Sequence, residues 1–186
     1  MRKLILKMSM TLDGFIAGPN GEAEWAFGDD QEAEDWVVQT VSNASLHIMG
    51  SRTFDAMAPY WPTSTTPFAA PMNQIPKAVF SKQGPANMNA ATGSWAEAYV
   101  AGGDLAHEIT KLKAKDGKPI VAHGGASFAR SLIAQNLVDE FALLVHPIAL
   151  GKGMAIFSDL PTPRPLKLVS SKAFPGGAMA QIYRPG

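Results

Sequence analysis

The sequence predicts an α/β fold: a mainly parallel mixed sheet with helices on both faces and antiparallel strands at its C-terminal edge. Three observations point there. Short apolar runs alternate with segments of helical periodicity, as parallel strands joined by crossover helices require. Two of those runs, SLHIMG and IVAHGG, end in glycine just before a helix start. From Glu140 onward the pattern changes to successive strands joined by turns. The 186 residues fit one domain over 1–186, with no linker, internal repeat or low-complexity tract.

Strand one follows from the alternation of Leu4, Leu6 and Met8 with Ile5 and Lys7. In the turn-rich stretch TLDGFIAGPNGE, Asp13-Gly14 and Pro19-Asn20-Gly21 are turn formers, while Phe15 and Ile16 either line a pocket or close the end of the core. DQEAEDWVVQTVS, from Asp30 to Ser42, reads as a helix with acidic residues at its dipole-favoured start and with Trp36, Val37 and Val41 to bury. SLHIMG is a strand. SRTFDAMAPYW begins another helix or turn, with Ser51 or Thr53 as cap and Phe54 and Met57 on one face. Prolines 59, 62, 67, 71 and 76 then imply a stiffened surface excursion before the strand KAVFSK.

WAEAYV fits a strand or a short helix equally. Asp104 caps a helix to Ala114 whose inward face is Leu105, Ile109 and Leu112. IVAH is a buried strand, and Ala126 to Gln135 the next helix. EFALLVHP, KLVSSKAF and AMAQIYR are closing strands, the last two joined by Pro175-Gly176-Gly177.

Composition narrows the function. Hydrophobic residues are 46% and charged residues 17% of the chain, which places it among folded globular proteins rather than disordered ones. Sixteen basic residues balance sixteen acidic ones, which argues against a nucleic-acid binder that works through phosphate contacts. There is no cysteine, so disulfides and thiolate chemistry are excluded, and the four histidines show no metal-ligand spacing. Arg2, Lys3 and Lys7 interrupt the opening apolar segment, which therefore reads as a strand rather than a leader or membrane span; residence in the cytoplasm is the expectation.

Neither GxGxxG nor GxxxxGK[ST] is present. Gly124-Gly125 serves either phosphate binding at a helix start or close strand–helix packing. Gly50-Ser51-Arg52-Thr53 and Ser81-Lys82 occupy analogous places beyond strands, where open α/β sheets gather ligands. Together they offer hydroxyls, two cations and backbone N–H groups to a polyanion.

These residues, taken with MTLDGFIAG, MGSRTFDAMAPYWP, KAVFSK and IVAHGGASFARSLIAQNLVDEFALLVHPIALGKG in that order, resemble the dihydrofolate reductase superfamily. The similarity is to its branch related to the C-terminal reductase domain of bacterial riboflavin biosynthesis enzymes. The resemblance implies a dihydrofolate reductase-like fold and NADPH as hydride donor. Ile16 and Ala17 would approach the nicotinamide, Gly50, Ser51, Arg52 and Thr53 the phosphates, and Ser81 and Lys82 the adenosine 2′-phosphate. Gly124-Gly125 would be a cis peptide, with Ala126 and Ser127 offering N–H groups to the pyrophosphate.

Where classical relatives place arginine directly after the glycine, this chain has Ser51, so NADH is not excluded. For chemistry the candidates are Asp13, which also suits a plain Asp-Gly turn, and Glu34, with Glu32 and Asp35 near in register and a solvated acidic face as the alternative. By the same resemblance Trp25 would be the substrate-side aromatic. His123 reads as structural or pocket-lining, and His47 and His146 as packing residues.

The implied reaction is hydride transfer to a small heterocyclic or ribosylaminopyrimidine substrate, in its specific form 5-amino-6-(5-phosphoribosylamino)uracil. A dihydrofolate or pterin reductase, or a non-catalytic nucleotide- or pterin-binding protein, is the alternative. The late strands of relatives make LVDEFALLVHPIALGKG the candidate surface for a homodimer.

Overall fold

The computed structural model describes residues 1–158 and 160–186. In chain order the elements are β1 (Leu4–Thr11), β2 (Phe15–Ala17), α1 (Gln31–Ser42), β3 (Leu46–Gly50), α2 (Ser51–Tyr60), α3 (Ala69–Gln74), β4 (Lys77–Phe80) and β5 (Tyr99–Ala101). They continue with α4 (Leu105–Lys113), β6 (Ile120–His123), α5 (Ala126–Ala134), β7 (Glu140–His146), β8 (Met154–Ala155), β9 (Leu166–Ala173) and β10 (Met179–Pro185). The main sheet runs β5-β4-β3-β6-β1-β7-β10-β9. Every pairing from β5 to β7 is parallel, and β10 and β9 close the edge antiparallel. A small ribbon, β2 with β8, ties the first loop to the late chain.

Helices cover both faces, as expected. On one, Leu4, Leu6, Met8 and Met10 of β1 pack with Ile109 and Leu112 of α4 and with Ala129, Leu132 and Ile133 of α5. On the other, Ala33, Val37 and Val41 of α1 meet Leu144 and Ala180, while a second cluster joins Phe54 and Ala58 of α2 to Met72 and Trp95. These two clusters leave a gap between them on the same face, and the gap is where the site forms.

Two local expectations change. The proline-rich stretch is not a bare surface excursion: α2 runs through Pro59, and α3 follows with Pro71 and Met72 buried. Pro59 cannot donate to the carbonyl of Asp55, four residues back. The Asn87 side chain donates to that oxygen instead, at 2.9 Å. WAEAYV divides, with a 3-10 turn at Gly93–Trp95 and a strand at Tyr99–Ala101.

Candidate active site

Strands β4, β3 and β6 are neighbours, so the segments beyond their carboxyl ends converge. These carry Ser81-Lys82, Gly50 to Thr53 and Gly124 to Ser127, the residues singled out for a cofactor. The helices themselves show why the convergence matters. Asp30 accepts a hydrogen bond from Ala33 N at the start of α1, and Asp104 does the same for His107 N at the start of α4. Helices α2 and α5 begin at Gly50 and Gly125 with no side-chain cap. Neither Ser51 nor Thr53 caps α2, contrary to expectation: the first is already helical and a glycine precedes it. Two uncapped helix starts therefore lie together, with first-turn N–H groups and dipole ends suited to an anion.

Gly125 makes this proximity possible. Its φ is +84°, and a Cβ there would fall 2.9 Å from the Thr53 hydroxyl. The expected cis Gly124-Gly125 bond is absent: the described residues contain no cis peptide. Glycine's access to positive φ turns the chain from β6 into α5, and a cis bond between non-prolines would cost about 3 kcal/mol. Arg52 and Lys82 are exposed at the groove and form no ion pair among the described residues. The Ser81 hydroxyl donates to Gly84 O, shaping the turn after β4. Ile16 and Ala17 lie on β2, held opposite β8.

Beside this groove, between α1, α2 and the sheet, is a cavity of about 1170 Å³. Ile16 and Gly124 line it, so it opens directly onto the groove, and Glu34 lines the α1 side. Its walls include Val37, Val41, Met57, Trp61, Phe68 and Leu144, a largely apolar enclosure of the sort that holds a small organic molecule. Trp25 does not line it, but packs edge-on against His146, which does, with ring centroids 5.4 Å apart.

The floor is polar. Lys7 on β1 and His123 on β6 are register partners and both line the cavity. His123 in turn lies edge-on to His47, at 4.5 Å between centroids. His47 Nε2 is 2.9 Å from Val41 O, a carbonyl that can only accept, so that nitrogen carries a proton. Burial pushes the His47 pKa down to about 4. Burial, reinforced by His47 and Lys7, holds His123 well below the ordinary histidine range. The Lys7 ammonium is pushed down to about 8 by burial, and among the described residues its one hydrogen-bond partner is Ser9 Oγ at 3.5 Å. Lys77 is buried with Nζ donating to Ile75 O and Ser94 Oγ, both at 2.6 Å. Among the described residues no carboxylate pairs with this row of basic groups. His123 Nε2, His146 Nε2 and Trp61 Nε1 are buried and have no partner among the described residues. Unpaired buried donors and acceptors at a cavity wall mark places where a bound molecule supplies the missing contacts.

The sequence singled out neither Lys7 nor Trp61 for this site, and it gave His123 no more than a structural or lining place. Asp13 has a different setting from its neighbours in the candidate set. Its carboxylate accepts from Thr11 Oγ1 at 2.6 Å, Gly151 N at 2.7 Å and Leu150 N at 3.0 Å. The Thr11 bond first, then the Gly151 and Leu150 bonds, hold it below the usual carboxylate range. Exposed and committed to the 150–151 turn, it does not line the cavity. Among the described residues no group of three or more His, Asp or Glu could hold a metal ion. Among the described residues no helix is long and apolar enough to cross a membrane.

The geometry has counterparts. The structure superposes on a putative riboflavin biosynthesis protein from Shewanella sp. PV-4 with a TM-score of 0.77, at 20% identity and 99% coverage of both chains. It also superposes on dihydrofolate reductase from Enterococcus faecalis, solved with NADP(H), with a TM-score of 0.67 at 15% identity, covering 99% of this chain and 96% of that one. In sequence it is 33% identical over 183 residues to the uncharacterized protein YyaP of Bacillus subtilis (strain 168), spanning 98% of this chain and 94% of the relative. Residues 2–180 match the RibD C-terminal domain, so the strand-end groove and adjoining cavity are those of a chain that belongs to the RibD C-terminal domain family.

Proposed function

We propose that this protein is an NADPH-dependent reductase that transfers hydride to a small heterocyclic substrate. The observation that carries the reading is the meeting of two differently built spaces at Ile16 and Gly124. One is a groove of uncapped helix starts and exposed cations, suited to a dinucleotide; the other is an apolar cavity with a polar floor, suited to a flat organic molecule. Family membership and the fold shared with an NADP(H)-bound reductase support it.

Gly50 to Thr53 and Ala126-Ser127 would hold the pyrophosphate, Ser81 and Lys82 the 2′-phosphate, and Ile16 and Ala17 the ring end. Bound there, the reduced nicotinamide supplies the hydride. Lys7 has the properties of an acid for the acceptor atom. At neutral pH it is charged, and a pKa near 8 makes its proton easy to give up. The neutral His123 beside it accepts or donates one hydrogen bond, and Glu34 faces the heterocycle from α1. Homodimer formation belongs to this reading, supported by the exposed Leu168 and Val169 on edge strand β9.

The test is loss of reduced-nicotinamide absorbance across a panel of pterins and ribosylaminopyrimidines, 5-amino-6-(5-phosphoribosylamino)uracil included, with NADPH and NADH compared. Substrate-dependent oxidation of NADPH is expected, and Lys7→Met should bind NADPH as wild type does yet lose turnover. Failure to bind either cofactor sinks the reading.

A further inference from the structure

We propose that the substrate carries no phosphate, and that this cavity selects an uncharged or cationic heterocycle. The inference deepens the reductase reading and depends on it for the word substrate. Its basis is the placement of charge. Four carboxylates, those of Asp29, Asp30, Glu32 and Glu34, line the cavity, against the single ammonium of Lys7. Asp30 is occupied in capping α1, and it also accepts from Gly176 N; both bonds hold it ionised. Glu32 pairs with Lys172 at 3.0 Å, which cancels one charge at the rim. The balance of the lining stays negative.

The positions sharpen the argument. Lys7 is at the sheet floor, whereas the carboxylates come from the start of α1 and the segment before it, where Asp29 and Glu32 are exposed at the opening. A molecule entering with a phosphate at its outer end would place a dianion among like charges, and one entering phosphate-first would have to pass them. Among the described residues that line the cavity Lys7 is the one Lys or Arg, Lys172 beside the rim is paired with Glu32, and the start of α1 is already answered by the Asp30 carboxylate. The cations and clustered N–H groups that phosphate recognition uses are in the neighbouring groove, at Arg52, Lys82 and the starts of α2 and α5. The chain thus keeps its anion-binding equipment apart from its organic cavity.

The floor and wall also specify what fits. Lys7 on the floor donates, and Trp61 Nε1 in the wall, which can only donate, has no partner among the described residues. Ring carbonyls or ring nitrogens satisfy such donors, and an amino or amidine-like group toward α1 suits Glu34 and Asp29.

The experiment uses matched pairs differing only in a phosphate: an aminopyrimidine riboside and its 5′-monophosphate, and a dihydropterin with a hydroxylated side chain and its phosphate ester. Binding is read by tryptophan fluorescence with and without saturating NADP⁺, at low and high salt, and NADPH binding is measured separately. The unphosphorylated member of a pair should bind at least tenfold tighter, with a gap that narrows as salt rises. Asp29→Lys should tighten the phosphate esters severalfold while leaving the neutral compounds unchanged. Equal or tighter binding of the esters overturns the proposal. So does failure of every compound to bind while NADPH does, an outcome that leaves the cofactor groove standing. If NADPH fails to bind, the reductase reading falls, and the gap within each pair still decides the selectivity of the cavity.

Discussion

At the scale of single residues, the row Lys7, His123, His47 and Lys77 is costly, because three of the bases are buried and Lys7 half-buried, with no carboxylate paired to them among the described residues. That cost has a pH signature. His47 titrates at about 4 in the folded chain against an ordinary 6.5, so between those pH values the unfolded chain binds the extra proton. Stability therefore rises with pH across that window and is lost as pH falls from 6.5 toward 4. The two-and-a-half-unit gap corresponds to about 3 kcal/mol at the acid end. Urea unfolding at pH 7, 5.5 and 4.5 should show the decline. His47→Gln, which keeps a donor for Val41 O, should flatten part of it and leave the portion due to His123, whose pKa is lowered in the same direction. A decline of the same size in His47→Gln would remove His47 as its source. The row also shows why the sequence concealed the cavity floor. Alternation on strand one sets Leu4, Leu6 and Met8 against Ile5 and Lys7, and on a sheet with one covered face Lys7 would point to water. With α1 over the second face, the same alternation leaves it half-buried at the cavity floor. Period two reports which residues share a side; it is silent on whether that side is solvated.

At the scale of elements, the start of α4 was legible because a capping residue, Asp104, announces it, and that of α1 because acidic residues gather there; the structure adds that Asp30 is itself the cap. At α2 and α5 the informative signal was the lack of a cap after glycine, together with the three strand ends set side by side by the sheet order. The two glycines of the β6–α5 turn then have separable tasks. Gly125 is at φ +84° with the Thr53 hydroxyl 2.9 Å from any added Cβ, whereas at Gly124 nothing lies within 4 Å of one. Gly125→Ala should lose more than about 1 kcal/mol of stability from backbone strain and crowding. Gly124→Ala should unfold like wild type and bind NADPH at least tenfold more weakly, because the added methyl occupies space the cofactor approaches. Denaturant curves and NADPH titrations on both variants check this. Wild-type affinity in Gly124→Ala would show that the turn serves packing alone.

For the whole molecule, the β7 part of the expected interface tract is core, while residues 147–152 that follow it are largely exposed. Strand β7 is held between β1 and β10, with Phe141, Ala142, Leu143 and Leu144 all buried. A fully buried strand and an exposed apolar one look alike in sequence, which is why this tract attracted attention. An unpartnered apolar surface lies two strands further out. β9 is the eight-residue edge of the sheet, and Leu168 and Val169 are 50% and 45% exposed. The opposite edge, β5, is only three residues long. The register of β9 against β10 shifts between Ile182 and Tyr183, which pair with Ser170 and Leu168 and leave Val169 as the extra residue of a bulge. A bulge hinders open-ended strand addition, and Lys167 and Lys172 discourage it further. A closed, two-fold contact through side chains is what that geometry favours, with the same patch on both copies. Sedimentation velocity at micromolar concentration should therefore give a dimer. Leu168→Lys with Val169→Lys should give a monomer with unchanged circular dichroism and unchanged NADPH affinity, since the groove is built from β4, β3 and β6 at the other side of the sheet. A wild-type monomer at tens of micromolar, or a dimer indifferent to the double substitution, would take the contact away from β9.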